Sequence, residues 1–168
     1  MKKALIYVVF LMTGMELHAQ SPVRLMPYLQ QPGLYYTSEH VTGAGIGFGA
    51  GLLMTYKNHL LAQGDMNIYW MNGNAFSTRI SAGYKKSGFW APAVQGTFAI
   101  LWGSRTEVLL DNGRGPAYPT LVAGLRISPL RFETEKGFIS LLEVGYGLGG
   151  YKGACYDVTI LAVGLKLK

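Results

Sequence analysis

The feature of this sequence that most restricts its fold is an alternation of residue type at every second position. It is clearest at 41–57, where apolar residues such as Ile46 and Phe48 alternate with glycines at Gly43, Gly45, Gly47, Gly49 and Gly51. A period of two is that of a β-strand, in which successive side chains point to opposite faces. We therefore expect a strand with one apolar face and one glycine face.

The same period recurs in six further segments, at 59–71, 75–86, 92–104, 119–128, 138–150 and 157–168. A weaker candidate at 23–30 completes an even number of strands, and residues 31–40 would then form a loop. Most connections are short, as at Asn72-Gly73, so neighbouring strands are antiparallel. No apolar run after residue 19 approaches the ~20 residues of a spanning helix. The pattern predicts an all-β, antiparallel, up-and-down transmembrane β-barrel of eight strands.

The N-terminus has the organisation of a secretory signal. Lys2 and Lys3 precede an apolar core at 4–15, and Ala19 offers a small residue at a cleavage site. We expect residues 1–19 to be a signal peptide and residues 20–168 a single barrel domain. The alternative for the N-terminal segment is an uncleaved anchor.

Loop lengths and aromatic residues predict which end of the barrel faces which compartment. With both termini in the periplasm, the long connection 104–118 becomes an outer loop, and 57–59, 86–90 and 130–137 lie on the periplasmic side. The aromatic residues then form two belts at the membrane interfaces. Trp70, Phe76 and Trp102 fall near the outer rim, and Tyr56, Tyr84, Trp90 and Phe138 fall near the periplasmic rim.

The N-terminal signal, the alternating strands from 41 to 168 and the last strand "VTILAVGLKLK" resemble small bacterial outer-membrane β-barrel proteins of the eight-stranded OmpA/OmpX-like kind. The resemblance is one of pattern and covers nearly all of residues 20–168. It implies a location in the bacterial outer membrane. Such barrels usually end in an aromatic residue, whereas this sequence ends in Lys168.

Charged residues on the glycine-rich face are the strongest candidates for a site. Asp65 and Arg79 lie on adjacent predicted strands, as do Arg126 and Glu143. Because an eight-stranded barrel is just wide enough for its side chains, charges inside it must be paired or hydrated. We predict an ion-pair network that plugs the lumen, with Lys57, Lys85 and Lys166 nearer the ends. The alternative is a narrow polar pore.

Other chemistry finds little support in the sequence. The fragment Gly45–Ala50 fits a loose dinucleotide fingerprint, but no helix follows it, so we expect no nucleotide. His40 and His59 flank one strand at opposite ends, too far apart to share a metal ion. The net charge of +6 is spread along the sequence, which lacks the clustered basic run expected of a nucleic-acid binder. We expect neither a metal nor a cofactor, and Cys155 is interpreted as an inert small residue.

These observations favour a non-catalytic outer-membrane barrel with a structural or interaction role in the cell envelope. Its expected partners are outer-membrane lipids and, through loop 104–118, other envelope proteins. Two alternatives stay open. One is a barrel enzyme that modifies lipid A or phospholipid, for which the segment Ser38–His40 lies in the first outer loop. The other is a soluble, lipocalin-like carrier, which turns its apolar face inward.

Overall fold

A computed structural model describes residues 23–37, 42–71, 73–103, 120–149 and 153–167. Nine strand segments follow one another in the chain: β1 (Val23–Thr37), β2 (Thr42–Tyr56), β3 (Leu60–Met71), β4 (Gly73–Lys85), β5 (Ala93–Gly103), β6 (Thr120–Ser128), β7 (Leu130–Glu133), β8 (Gly137–Gly149) and β9 (Gly153–Leu165). Within these ranges, no helix is long and apolar enough to span a membrane.

The segments close into an eight-stranded antiparallel barrel. Each of β1 to β6 pairs with its neighbour in sequence, and β9 pairs with both β1 and β8. β6 and β7 are two parts of one strand interrupted at Pro129, since both pair with β8 in the same register. Pairing of β6 with β8 closes the barrel, and the predicted fold class and strand number are confirmed.

The barrel has two ends, which we call proximal and distal. The proximal end carries Val23, Leu165 and the connections 57–59, 86–92 and 134–136. The distal end carries the opposite ends of the strands, at Thr37, Thr42, Met71, Gly73, Gly103, Thr120, Gly149 and Gly153. The residues that connect these strand ends lie outside the described ranges. The first and last strands therefore meet at the end that carries the connections 57–59, 86–92 and 134–136, as the predicted topology requires.

Three predicted boundaries were wrong. β1 continues to Thr37, so residues 31–37 are strand and not loop, because they pair with both β2 and β9. β9 begins at Gly153 instead of 157 and ends at Leu165. The predicted connection 130–137 contains β7, which leaves a turn of only three residues. The signal peptide falls outside the described residues, and its cleavage stays a prediction.

The two faces of the strands separate by polarity. Large apolar side chains cover the outside, while glutamine, serine, threonine and ionised side chains are buried inside. This is the arrangement of a barrel that meets lipid on its outer wall. It is the opposite of a lipocalin, which turns its apolar side chains toward the interior.

The alternation changes phase across three adjacent strands at one height. Leu141 and Leu142 of β8 both point outward, as do Ile160 and Leu161 of β9, and β6 gives way to β7 at Pro129. Pro129 has no N–H to donate to a neighbouring strand. Leu142 has a positive φ of 59°. Such irregularities turn a strand so that the side chains beyond them face the other way.

This phase change overturns one predicted position. Phe138 was assigned to the periplasmic aromatic belt, but it is buried inside the barrel. The prediction continued the phase of Glu143 and Val144 back along β8, through the irregularity at Leu142. Residues on the proximal side of that irregularity have exchanged faces, which places Phe138 in the lumen.

Candidate functional site in the barrel lumen

The lumen is filled by layers of side chains. Near the distal end, six buried residues form an apolar layer: Leu34, Tyr36, Tyr69, Leu101, Val122 and Cys155. Near the proximal end, seven form a second: Met26, Tyr28, Leu53, Leu61, Ala93, Phe138 and Ala162. The order of residues along β3, from Tyr69 through Asp65 to Leu61, places a charged layer between the two apolar ones.

The charged layer contains the residues that the sequence pattern singled out. Arg79 contacts Asp65, with Nη2 3.0 Å from Oδ1 and Nε donating a 3.1 Å hydrogen bond to Oδ2. Arg126 Nη1 lies 3.1 Å from Glu143 Oε2. All of these side chains are almost completely buried. The structure therefore brings each predicted pair into contact, on adjacent strands as expected.

The two pairs are joined by Asp157, a residue that the sequence reasoning missed. Its carboxylate accepts hydrogen bonds from Arg79 Nη1 and from Arg126 Nη2, the latter at 2.9 Å. Arg126 also donates a 2.6 Å hydrogen bond to Thr159 Oγ1. Extending the phase of Leu161 and Val163 back along β9 places Asp157 outside, but the phase change at Ile160 turns it inward. The one sequence signal that could have placed Asp157 in the lumen is its charge, since an ionised side chain in an otherwise apolar strand is unfavourable on a surface that faces lipid.

The network contains three carboxylates and two guanidinium groups, so uncharged donors complete it. Tyr28 donates a 2.9 Å hydrogen bond to Asp65 Oδ2, and Asn67 Nδ2 donates one of 2.6 Å to Asp65 Oδ1. Gln30 Nε2 in turn donates to Asn67 Oδ1 at 2.6 Å. Buried charges are tolerated when they are paired and hydrogen-bonded in this way.

The glycine face of β2 makes room for these side chains. A Cβ on Gly47 would lie 2.1 Å from the carbonyl oxygen of Ile68 and 2.9 Å from Cδ1 of Tyr69. At Gly51 it would lie 2.6 Å from Cζ of Tyr28. A Cβ on Gly49 would overlap Asn67. Tyr28, Asn67 and Tyr69 thus occupy the space beside the glycine face.

Gly45 is half-buried on the same face, and the burial of Gly43 is not described. The glycine face as a whole is therefore seen at Gly45, Gly47, Gly49 and Gly51. Its role is to hold the wall of the barrel close to the tyrosine and asparagine side chains of the lumen.

A second ionic cluster lies at the proximal mouth. Lys85 Nζ donates a 2.6 Å hydrogen bond to Glu133 Oε2, and Arg131 Nε donates one of 2.7 Å to Glu133 Oε1. The Arg131 guanidinium lies 4.0 Å from the ring centre of Phe138. Lys85 is buried, as the sequence pattern predicted for an inward-facing charge. Lys57 and Lys166 are exposed at the rim instead of lining the lumen.

The other predicted belt residues lie on the outer wall. Trp70, Phe76 and Trp102 are exposed on the distal half, and Tyr84 and Trp90 are exposed near the proximal end. Tyr56 is half-buried. The Trp90 indole donates a 2.9 Å hydrogen bond to the carbonyl oxygen of Pro129, at the interruption between β6 and β7.

No group of three histidine, cysteine, aspartate or glutamate side chains suited to a metal ion occurs among the described residues. His59 instead stacks on Tyr84, with 5.6 Å between ring centres. Cys155 is a free, buried thiol in the distal apolar layer. Ser38, Glu39 and His40 lie outside the described residues.

Comparison with solved structures identifies similar barrels. Neisserial surface protein A superposes with a TM-score of 0.64 at 12% sequence identity, over 88% of this chain and 98% of that chain. Ail, the attachment invasion locus protein of Yersinia pestis, solved in complex with the heparin analogue sucrose octasulfate, gives 0.48 at 10% identity, over 86% and 99%. No family model and no curated protein matches the sequence. The chain thus resembles small outer-membrane β-barrel proteins, and at these identities the likeness is one of fold.

Proposed function

We propose that this chain is a non-catalytic barrel of the bacterial outer membrane, closed to ions and acting as a structural or interaction subunit of the cell envelope. The observation that carries the proposal is the filled lumen. The network around Arg79, Arg126 and Asp157 lies between two apolar layers, so a solute would have to displace packed side chains at three successive heights.

The outer wall supports the location. Side chains such as Phe48, Ile80 and Leu125 expose a continuous apolar surface, which in water would favour aggregation and in a bilayer meets the acyl chains. Cleavage after Ala19 would release the barrel domain into the periplasm for insertion. The partners proposed are outer-membrane lipids and, through the connection 104–118, other envelope proteins.

Single-channel recording tests the closed lumen. The reconstituted protein should show no steady conductance, because both apolar layers and the charged layer block the axis. The double substitution Tyr69→Ala with Leu101→Ala thins the distal layer and leaves the charged layer in place. That variant should also stay closed, and a stable open current through the unmodified protein would refute the proposal.

The main alternative is a lipid-modifying enzyme. It would need catalytic groups brought together near the distal rim, and the described residues there are apolar or uncharged. Mass spectrometry of lipid A and phospholipids from cells with and without the gene decides between the two functions. Unchanged lipid masses are expected for a structural barrel, whereas a lost acyl chain or phosphate group would establish the enzyme.

Membrane fractionation tests the location separately. The mature protein should sediment with outer membranes and migrate differently on a gel with and without heating. Recovery in the soluble periplasm would exclude the proposal at its first step.

A further inference from the structure

The exposed charge of the barrel is concentrated at its proximal end. Five basic residues lie in or beside the proximal turns: Arg24, Lys57, Lys86, Lys136 and Lys166. Arg24 is half-buried and the four lysines are exposed. Within the described ranges, Glu135 is the one exposed acidic residue at this end, and none of the recorded ion pairs there involves the five bases.

The rest of the molecule carries almost no net charge. Inside the lumen, four basic side chains (Arg79, Lys85, Arg126 and Arg131) face four acidic ones (Asp65, Glu133, Glu143 and Asp157). In the sequence of the distal connections, Arg105, Arg114 and Lys152 are balanced by Glu39, Glu107 and Asp111. The net positive charge of the barrel domain therefore lies at the proximal rim.

Aromatic side chains place part of this charge at a defined depth. Lys57 Nζ lies 5.3 Å from the ring centre of Tyr56, and Lys86 Nζ lies 5.1 Å from that of Trp90. Tyrosine and tryptophan in such positions mark the boundary between the acyl chains and the headgroups. The two ammonium groups are thus held at the height at which lipid phosphates lie.

The remaining bases lie at the same rim on other strands. A 2.8 Å backbone hydrogen bond from Lys166 N to the carbonyl oxygen of Lys136 makes these two lysines neighbours beside the β8 and β9 ends. Lys57 follows β2 and Lys86 follows β4. The bases therefore surround the proximal mouth, where they can contact several headgroups at once.

We propose that the proximal rim is a binding surface for anionic glycerophospholipid headgroups in the leaflet that it faces. The proposal rests on the membrane location proposed above and adds the lipid class and the residues. Anionic phosphates at this depth can meet an ammonium group at several positions around the barrel, beside β2, β4 and the β8 and β9 ends. A basic residue near an anionic lipid surface favours binding roughly fivefold.

Quenching of tryptophan fluorescence by brominated lipids tests this end against the other. A variant with Trp70→Phe and Trp102→Phe keeps Trp90 as the sole tryptophan, at the proximal rim. A matched control with Trp70→Phe and Trp90→Phe keeps Trp102, on the distal half. Each is reconstituted in phosphatidylcholine vesicles that contain either brominated phosphatidylglycerol or brominated phosphatidylcholine at the same mole fraction.

At low salt, the binding constant from Trp90 quenching should favour phosphatidylglycerol about fivefold, and Trp102 should show no preference. Substituting Lys57, Lys86, Lys136 and Lys166 with glutamine should bring the Trp90 ratio close to one. Raising the ionic strength to about 1 M should act in the same direction, because the Debye length falls to about 3 Å.

Equal quenching of Trp90 by both lipids would overturn the binding surface while leaving the membrane barrel intact. A phosphatidylglycerol preference of the same size at Trp102, or one that survives the four lysine substitutions, would also overturn it. Absence of quenching at both tryptophans in every vesicle would show that the protein does not insert, which would reject the proposed location itself.

Discussion

Replacing Arg126 with methionine should strongly destabilise the barrel. Arg126 is fully buried and contacts Glu143, Asp157 and Thr159 at 3.1, 2.9 and 2.6 Å. In the variant, Asp157 still forms its ion pair with Arg79, but Glu143 loses its ion pair with Arg126. Removing one partner of a buried ion pair costs about 3–5 kcal/mol, since the other charge stays buried and unpaired.

A second substitution isolates the cause. Glu143→Gln alone leaves Arg126 with Asp157 and should cost about 1–3 kcal/mol. In the Arg126→Met background the same substitution removes the unpaired charge, and it should restore about 2 kcal/mol. The two changes are thus expected to be non-additive, as residues in contact generally are.

Equilibrium unfolding in urea, followed by tryptophan fluorescence in detergent micelles, measures these free energies. Lys136→Met is the matched control, because Lys136 is exposed in a turn and its loss should change stability by less than about 0.5 kcal/mol. A loss below about 1 kcal/mol for Arg126→Met, or additive effects in the double variant, would refute the account of the lumen as a coupled ionic network.

Three further predictions concern packing. Gly47→Ala should lower the free energy of unfolding in the same urea assay by about 1–3 kcal/mol, because its Cβ would overpack the lumen. Gly64→Ala should be nearly neutral, since the nearest atom to its added Cβ would lie 3.9 Å away. Phe138→Ala should lower the free energy of unfolding by about 3–5 kcal/mol, because it leaves a cavity in the lumen, and Phe76→Ala on the outer wall should lower it less. Equal losses for the two variants would indicate that Phe138 lies on the outer wall and not in the lumen. Cys155 is buried, so maleimide should label it slowly in the folded barrel and rapidly in urea, and equal rates would place the thiol at the surface.

Much of the barrel follows from local sequence. Alternation identified β2 to β6 within one or two residues at most ends, because each of these strands keeps a single phase along its whole length. It also placed Asp65 and Arg79 on adjacent strands, and likewise Arg126 and Glu143. β1 was harder to delimit, since Pro27, Pro32 and Gly33 obscure its pattern although its backbone pairs on both sides.

The arrangement of the lumen depended on more than local pattern. Asp157 joins the two ion pairs, and Phe138 packs at 5.9 Å from Tyr28, only because β8 and β9 exchange their faces near Leu142 and Ile160. That exchange is shared with the neighbouring strand at Pro129, so it is a property of three strands paired together.

The sequence by itself determined seven strands, their antiparallel order and the polarity of the two faces, because a period of two is a local property of the chain. The eighth strand was expected from the even strand number of such barrels, and its pairing with β2 and β9 established it. The tertiary structure alone decided how the charges combine. A carboxylate such as Asp157 reaches Arg79, 78 positions away, only after the barrel has closed and the strand pairing has fixed which side chains share the narrow interior.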